Sequence, residues 1–202
     1  MVTFESRDPA TPAFWSERFM QRITPWDRGG VPLALERFVA QSPRPLVTLI
    51  PGCGAGHEVA HLSERGWDVT AIDFSFAAVQ AARAGLGQWA ERVLEADFFA
   101  FAPSRPLECI YERAFLCALP PDRWQQIVRR WAELLPAGGL LVGFFFFDQS
   151  YKGPPFGADP EELATMLSPY FDLIEDQPVE DSVAVFKGKE RWQVWRRNVA
   201  GC

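Results

Sequence analysis

The sequence predicts an α/β fold: a doubly wound, mostly parallel seven-stranded sheet with an antiparallel edge strand and a helical segment ahead of its first strand. Three observations carry this. Short apolar runs alternate with helical patterns from residue 46 onward. The first run ends in alternating glycines, "LIPGCGAGHEV" over 49–59. The last two strand-like runs, "YFDLIED" and "RWQVWRRN", are joined by a turn-rich piece and lie close enough to pair antiparallel at the sheet edge.

The elements follow in order. "FWSERFMQRIT" (14–24) spaces Phe14, Trp15, Phe19 and Ile23 as one helical face, ahead of any strand. "PWDRGGVP" (25–32) is a loop by its Pro and Gly content, and "LALERFVAQ" a second helix stopped by "SPRP". "LVTLI" (46–50) is the first strand, and "EVAHLSER" a helix closed by Gly66. "WDVTAID" (67–73) is the second strand, followed by a helix through "SFAAVQAARAG". "RVLEAD" (92–97) and "LECIYER" (107–113) are the third and fourth. "PPDRWQQIVRRWAELLPAGG" reads as a long amphipathic helix with proline at its start and glycine at its end. "LLVGFFFF" (140–147), apolar on both faces, is a buried fifth strand, and a helix near 160–168 precedes the final pair.

Length and composition bound the function. At 202 residues a single domain, 1–202, is expected, with enough chain for a proper core. A formal net charge of −6 argues against nucleic acid as the main partner, and a small-molecule substrate is expected instead. No run approaches the roughly 18 apolar residues of a membrane span. The opening "MVTFESRDPATPAFW" lacks a signal-peptide pattern. Cys53, Cys109, Cys117 and Cys202 show no paired spacing and read as reduced thiols, so a cytoplasmic protein without membrane association is expected, acting as a monomer.

In a doubly wound sheet, ligands sit beyond the carboxyl ends of the strands. A glycine-rich turn after strand one and an acid after strand two describe a nucleoside site. Asp73 lies 21 residues after Gly52, ends its strand, and is placed to accept hydrogen bonds from both ribose hydroxyls. The dinucleotide fingerprint needs glycine at its first, third and sixth positions. Counted from Gly52, the sixth is His57, and glycine falls at the fifth. No GK[ST] follows, so the loop is not a P-loop either. A nucleoside ligand without a pyrophosphate fits better, and S-adenosylmethionine is the common one. "EADFF" ends strand three, where Asp97 can accept from an adenine amino group and Phe98 flank the ring. An NAD-type oxidoreductase and a non-catalytic cofactor-binding module remain alternatives at this level.

The motifs "FWSERF…TPWDRG", "IPGCGAGHEV", "AIDFS", "EADFF", "YERAFLCALPP", "GPPF" and "KGKERW", in that order over nearly the whole chain, resemble the thiopurine S-methyltransferase family. They look most like its thiol, halide and thiocyanate methyltransferase branch. The resemblance implies a Rossmann-like class I methyltransferase using S-adenosylmethionine. Within it, residues 1–30 would form an aromatic lid over the cofactor, 46–150 the cofactor-binding core, and 151–202 a substrate-side segment with the final antiparallel strands. Carried over residue by residue, the cofactor contacts are Trp15, Phe19, Trp26, Gly52, Gly54, Asp73, Asp97, Phe98 and Arg113. One position departs from the family pattern: Phe19 stands where a second tryptophan is common. Arg113 stands where the halide branch often has tyrosine and matches the arginine of the thiopurine branch.

Methyl transfer from a sulfonium is an in-line displacement, accelerated mainly by alignment and exclusion of water. Aromatic faces suit the sulfonium through cation–π attraction, and Trp15, Phe19 and Trp26 supply them. The expected acceptor pocket is walled by Trp26, Phe115 and Cys117, with Tyr151, Pro155 and Phe156 after strand five. No certain catalytic residue emerges; Trp26 and Arg113 position the reactants. The two histidines, His57 and His61, offer no third ligand for a metal, and none is expected. His57 reads as a helix-start residue and Cys117 as a wall rather than a nucleophile. With so little histidine, an acceptor already ionised is favoured: a thiol, hydrosulfide, thiocyanate, halide or thiopurine. Arg28 and Arg113 are the nearest cations for admitting it.

Overall fold

The computed structural model describes residues 3–150 and 152–199. Tyr151 and Cys202, both singled out above, lie outside the described residues. Seven strands form one sheet in the order β3-β2-β1-β4-β5-β7-β6. β1 (Val47–Pro51), β2 (Asp68–Asp73), β3 (Val93–Glu95), β4 (Cys109–Arg113) and β5 (Leu140–Phe146) pair in parallel. β7 (Glu190–Arg197) inserts antiparallel between β5 and β6 (Phe171–Pro178), so the expected antiparallel pairing occupies that edge. The order reverses at β1, which has β2 on one side and β4 on the other. A ligand crevice therefore opens beyond the carboxyl ends of β1 and β4.

The strict alternation of side chains along the central strands builds two cores from one sheet. Leu49, Leu141 and Phe145 face one side, where α5 (Trp124–Leu134) and α6 (Pro160–Leu167) cover them. Ile50, Val142 and Phe144 face the other, under α2 (Leu33–Gln41), α3 (His57–Glu64) and α4 (Phe76–Leu86). This is why "LLVGFFFF" shows no polar alternation: both of its faces are packed. α5 shows the helical version of the same logic. Trp124, Ile127, Val128 and Trp131 recur every three or four residues and are all buried. The helix is shorter than its pattern, because Pro121–Arg123 forms a 3-10 turn ahead of Trp124. α1 (Pro12–Met20) likewise stops before Ile23, which lies in the following loop.

Trp131 has no exposed surface and packs edge-on against Phe145, with 6.4 Å between centroids. Trp131→Ala should cost about 3–5 kcal/mol in denaturant unfolding, the usual range for truncating a fully buried large aromatic. Leu173→Ala on the outer strand, 45% exposed, should fall within about 0.5 kcal/mol of wild type. Equal losses would contradict the assignment of the core.

Candidate active site

The strand ends and the N-terminal segment together enclose a cavity of about 960 Å³, at the upper end of small-molecule sites. Its floor is the loop after β1. Gly52, Gly54 and Gly56 hold φ of +59°, +52° and +72°, a left-handed conformation that side chains disfavour. Space is short as well: a Cβ on Gly52 would sit 2.7 Å from the Phe115 ring, and one on Gly54 3.4 Å from the tip of Phe19. The second contact shows how near the N-terminal segment comes to the loop.

Asp73, at the end of β2, pins this floor. Its Oδ2 accepts from the Gly54 N–H at 3.1 Å and its Oδ1 from the Ser75 N–H at 2.9 Å. Burial pushes its carboxyl up to about 6 against the pull of those donors. Ser75 caps α4, its hydroxyl accepting from the Ala78 N–H, and shares a 2.9 Å hydrogen bond with the Ser16 hydroxyl of α1. Loop, helix cap and N-terminal segment are thus linked through three neighbouring residues.

The roof is aromatic. Trp26 receives the edges of Trp15 and Phe19, with ring centroids 5.4 and 6.1 Å away. Trp15 is held by its indole N–H, which donates to the Pro9 carbonyl at 2.8 Å. Beneath β3, Asp97 is exposed and accepts from the Phe99 N–H at 2.9 Å, while Phe98 is buried against Phe99 and Phe115. All nine residues carried over as cofactor contacts line this one cavity, together with Phe115, Cys117 and Pro155. Phe156 does not. Its ring packs against the core beneath α5, and its N–H donates to the Cys117 carbonyl at 2.7 Å.

The expected cations need correcting. Arg28 is engaged with the Asp181 carboxylate. Arg113 donates to Glu190 Oε2 at 2.7 Å and lies over the rings of Phe144 and Phe186. Each is therefore neutralised by a carboxylate from the tail, more than 75 residues away in sequence and invisible to local reading. Arg123, exposed on the cavity rim, makes no ion pair among the described residues. Val185 and Phe186 also line the cavity from the turn-rich stretch between β6 and β7. Sequence reading missed all three. For Arg123 a signal existed, since "PPDR" follows strand four; for Val185 and Phe186 only the fold supplies it.

Burial pushes the Cys117 thiol well above its ordinary range, with the nearby Glu112 carboxylate adding to the rise, which suits a wall and not a nucleophile. Glu112 is itself buried, and burial pushes its carboxyl up to about 8. Its Oε1 accepts from the Phe115 and Leu116 N–H groups, but its Oε2 has no partner, nor has Glu190 Oε1. A carboxyl whose folded value is raised contributes stability that is whole below about 4.5 and lost as pH rises towards about 8. Glu112→Gln keeps the Oε1 acceptor and removes the titration. Its unfolding free energy should therefore hold up against pH over that window where wild type declines; parallel stability curves would contradict the assignment.

Comparison with known proteins agrees with this architecture. The family model for thiopurine S-methyltransferase matches residues 10–198. Thiocyanate methyltransferase 1 of Arabidopsis thaliana is 27% identical over 190 residues, covering 91% of this chain and 84% of the relative. The thiopurine S-methyltransferase of Shewanella denitrificans is 28% identical over 183 residues, covering 80% and 84%. In fold the chain is similar to the 1,6-didemethyltoxoflavin-N1-methyltransferase of Burkholderia thailandensis, solved with S-adenosylhomocysteine. The TM-score is 0.73 at 20% identity, over 98% of this chain and 94% of that one. The N-methyltransferase NodS of Bradyrhizobium japonicum, also solved with S-adenosylhomocysteine, gives 0.70 at 20% identity, over 91% and 96%. With the family match running across nearly its whole length, the chain belongs to the thiopurine S-methyltransferase family of S-adenosylmethionine-dependent methyltransferases.

Proposed function

We propose that the protein transfers the methyl group of S-adenosylmethionine to a small soft nucleophile: a thiol, hydrosulfide, thiocyanate, halide or thiopurine. The observation that carries this reading is the seating of the Trp15–Phe19–Trp26 cluster over the glycine loop, with Phe19 almost in contact with Gly54. An apolar roof at that position excludes water and offers ring faces to a sulfonium. In this reading the cofactor's ribose lies against Asp73, its adenine lies between Asp97 and Phe98, and its methionine end passes between Gly52 and Arg113. The acceptor takes the remaining space by Trp26, Phe115, Cys117 and Pro155.

The polar character of that space favours an acceptor that arrives ionised. Its one histidine, His57, is hydrogen-bonded to Asp27. Both thiols at the site, Cys53 and Cys117, are pushed well up by burial. Arg113 is committed to Glu190, so its part is to position the cofactor and hold the wall formed with Phe186. Arg123 is exposed at the rim and placed to draw an anionic acceptor there, whereas Arg18, also at the cavity, is held on the Phe14 carbonyl and ring.

The direct test is adenosylhomocysteine release with thiols, hydrosulfide, thiocyanate, iodide and thiopurines as acceptors. At saturating cofactor, kcat with thiocyanate or iodide should stay nearly flat between about pH 6.5 and 8.5, since neither acceptor titrates there and no base is needed. With a thiol it should rise with the thiolate fraction. Asp73→Ala removes charge-assisted hydrogen bonds of about 1.5–3 kcal/mol each and frees Gly54, so cofactor Kd should rise tenfold or more. Methylation of a catechol or an amine with no turnover of any thiol or halide would overturn the acceptor assignment. Unchanged cofactor affinity in Asp73→Ala would remove that residue from the site.

A further inference from the structure

A second link joins the aromatic segment to the cofactor loop, and it is ionisable. His57 is the first residue of α3, directly after the glycine loop, and its Nε2 lies 2.8 Å from Asp27 Oδ1. Asp27 follows Trp26, the residue at the centre of the roof. Both partners are part-buried and both line the cavity. The same Oδ1 also accepts from the Gly29 N–H at 2.8 Å, which fixes the Asp27 side chain on its own loop. The pair therefore bridges the segment carrying the roof and the helix start carrying the floor.

We propose that His57 and Asp27 form a clasp that keeps the aromatic segment closed over the cofactor, with the protonated imidazole giving the tighter closure. His57 is then a positioning residue for cofactor retention, acting through Trp26, and not a base toward the acceptor. The inference rests on the reading of the cavity as the S-adenosylmethionine site. The clasp is an exchange of partners on closure. Open, both groups face water; closed, they share a hydrogen bond that becomes charge-assisted when the imidazole is protonated. Linkage then requires that whatever favours closure also favours protonation, and the reverse.

The surrounding charges agree in sign. The hydrogen bond from Asp27 holds the His57 imidazolium above its ordinary range, burial opposes it, and Glu58 on the same helix adds to the rise. The Asp27 carboxyl is held below its ordinary range by the same bond. Nearby Arg28, which follows Asp27, is engaged by Asp181 and does not compete for it. The other charged groups lining the cavity are Arg18, Glu95, Asp97, Arg123, Arg113, which is paired with Glu190, and Asp73, whose carboxyl is pushed up to about 6. Asp73 acts in the opposite sense, since ribose recognition needs its carboxylate and weakens as pH falls through that value. Cofactor affinity should accordingly pass through a maximum, lost on the acid side through Asp73 and on the alkaline side through His57.

The test is calorimetric titration of the full chain with adenosylhomocysteine at pH 5 to 9, in buffers of different ionisation enthalpy. Wild type should bind several-fold less tightly at the alkaline end and should take up protons on binding within that range. His57→Gln, which retains a donor but cannot ionise, and Asp27→Asn, which removes the charge from the opposite partner, should both bind more weakly. Both should lose the alkaline decline and the proton uptake, while keeping the acid-side loss. In kinetics with thiocyanate or iodide as acceptor, the alkaline decline should appear in KM for the cofactor and leave kcat flat. Unchanged proton uptake and alkaline slope in both variants would overturn the clasp while leaving the cofactor site intact. No binding of adenosylhomocysteine to wild type at any pH would overturn the underlying reading instead.

Discussion

The Asp73 carboxylate is the constraint on which the rest of the site depends. One oxygen fixes Gly54 at the turn of the glycine loop, and the other fixes Ser75, the cap of α4, which in turn bonds Ser16 of α1. A single side chain thus sets the floor, the start of a flanking helix and the docking of the roof. It does so in a buried place, where a carboxylate is stable only because backbone donors satisfy it. The same groups carry the chemistry proposed for the cofactor, so local stability and binding cannot be separated at this residue.

The catalytic logic follows from what surrounds the cavity. Its thiols are suppressed by burial, and Arg28 and Arg113 are matched by acids. His57 and Asp27 hold each other between floor and roof. What remains is shape, apolar cover and orientation, which are what a displacement at a sulfonium carbon requires when the acceptor already carries its charge. The buried Glu112 beside the acceptor wall belongs to the scaffold. Its Oε1 organises the turn that presents Phe115 and Cys117, and its Oε2 faces no donor.

Much of this was legible in the sequence, for local reasons. A strand that ends in "PGCGAG" announces its own turn, and a parallel sheet places Asp73 and Asp97 at the same end as that turn by topology alone. The aromatic spacing of the N-terminal segment marks a helical face, while its place over the cofactor comes from the family resemblance. What was not legible has equally physical origins. Phe156 follows two prolines of a pocket motif, yet its half-buried ring packs against the main core and does not line the cavity. Arg28 and Arg113 carry charge in sequence, but Asp181 and Glu190 return to them only once the tail crosses back to form β6 and β7. The tail's Val185 and Phe186 reach the cavity by the same crossing. Contacts of this range have no periodicity to betray them.

Closure of residues 12–30 over a cofactor seated on the glycine loop is directly open to test. α1 is nine residues long, too short to hold its helix without tertiary contacts, so its order should depend on what it covers. Hydrogen–deuterium exchange of the amides in that segment, with and without adenosylhomocysteine, measures this directly. Exchange should be fast in the free protein and markedly slower when the ligand is bound, with NAD producing no such change. Equal protection in both states would show a fixed structural helix and rule out closure.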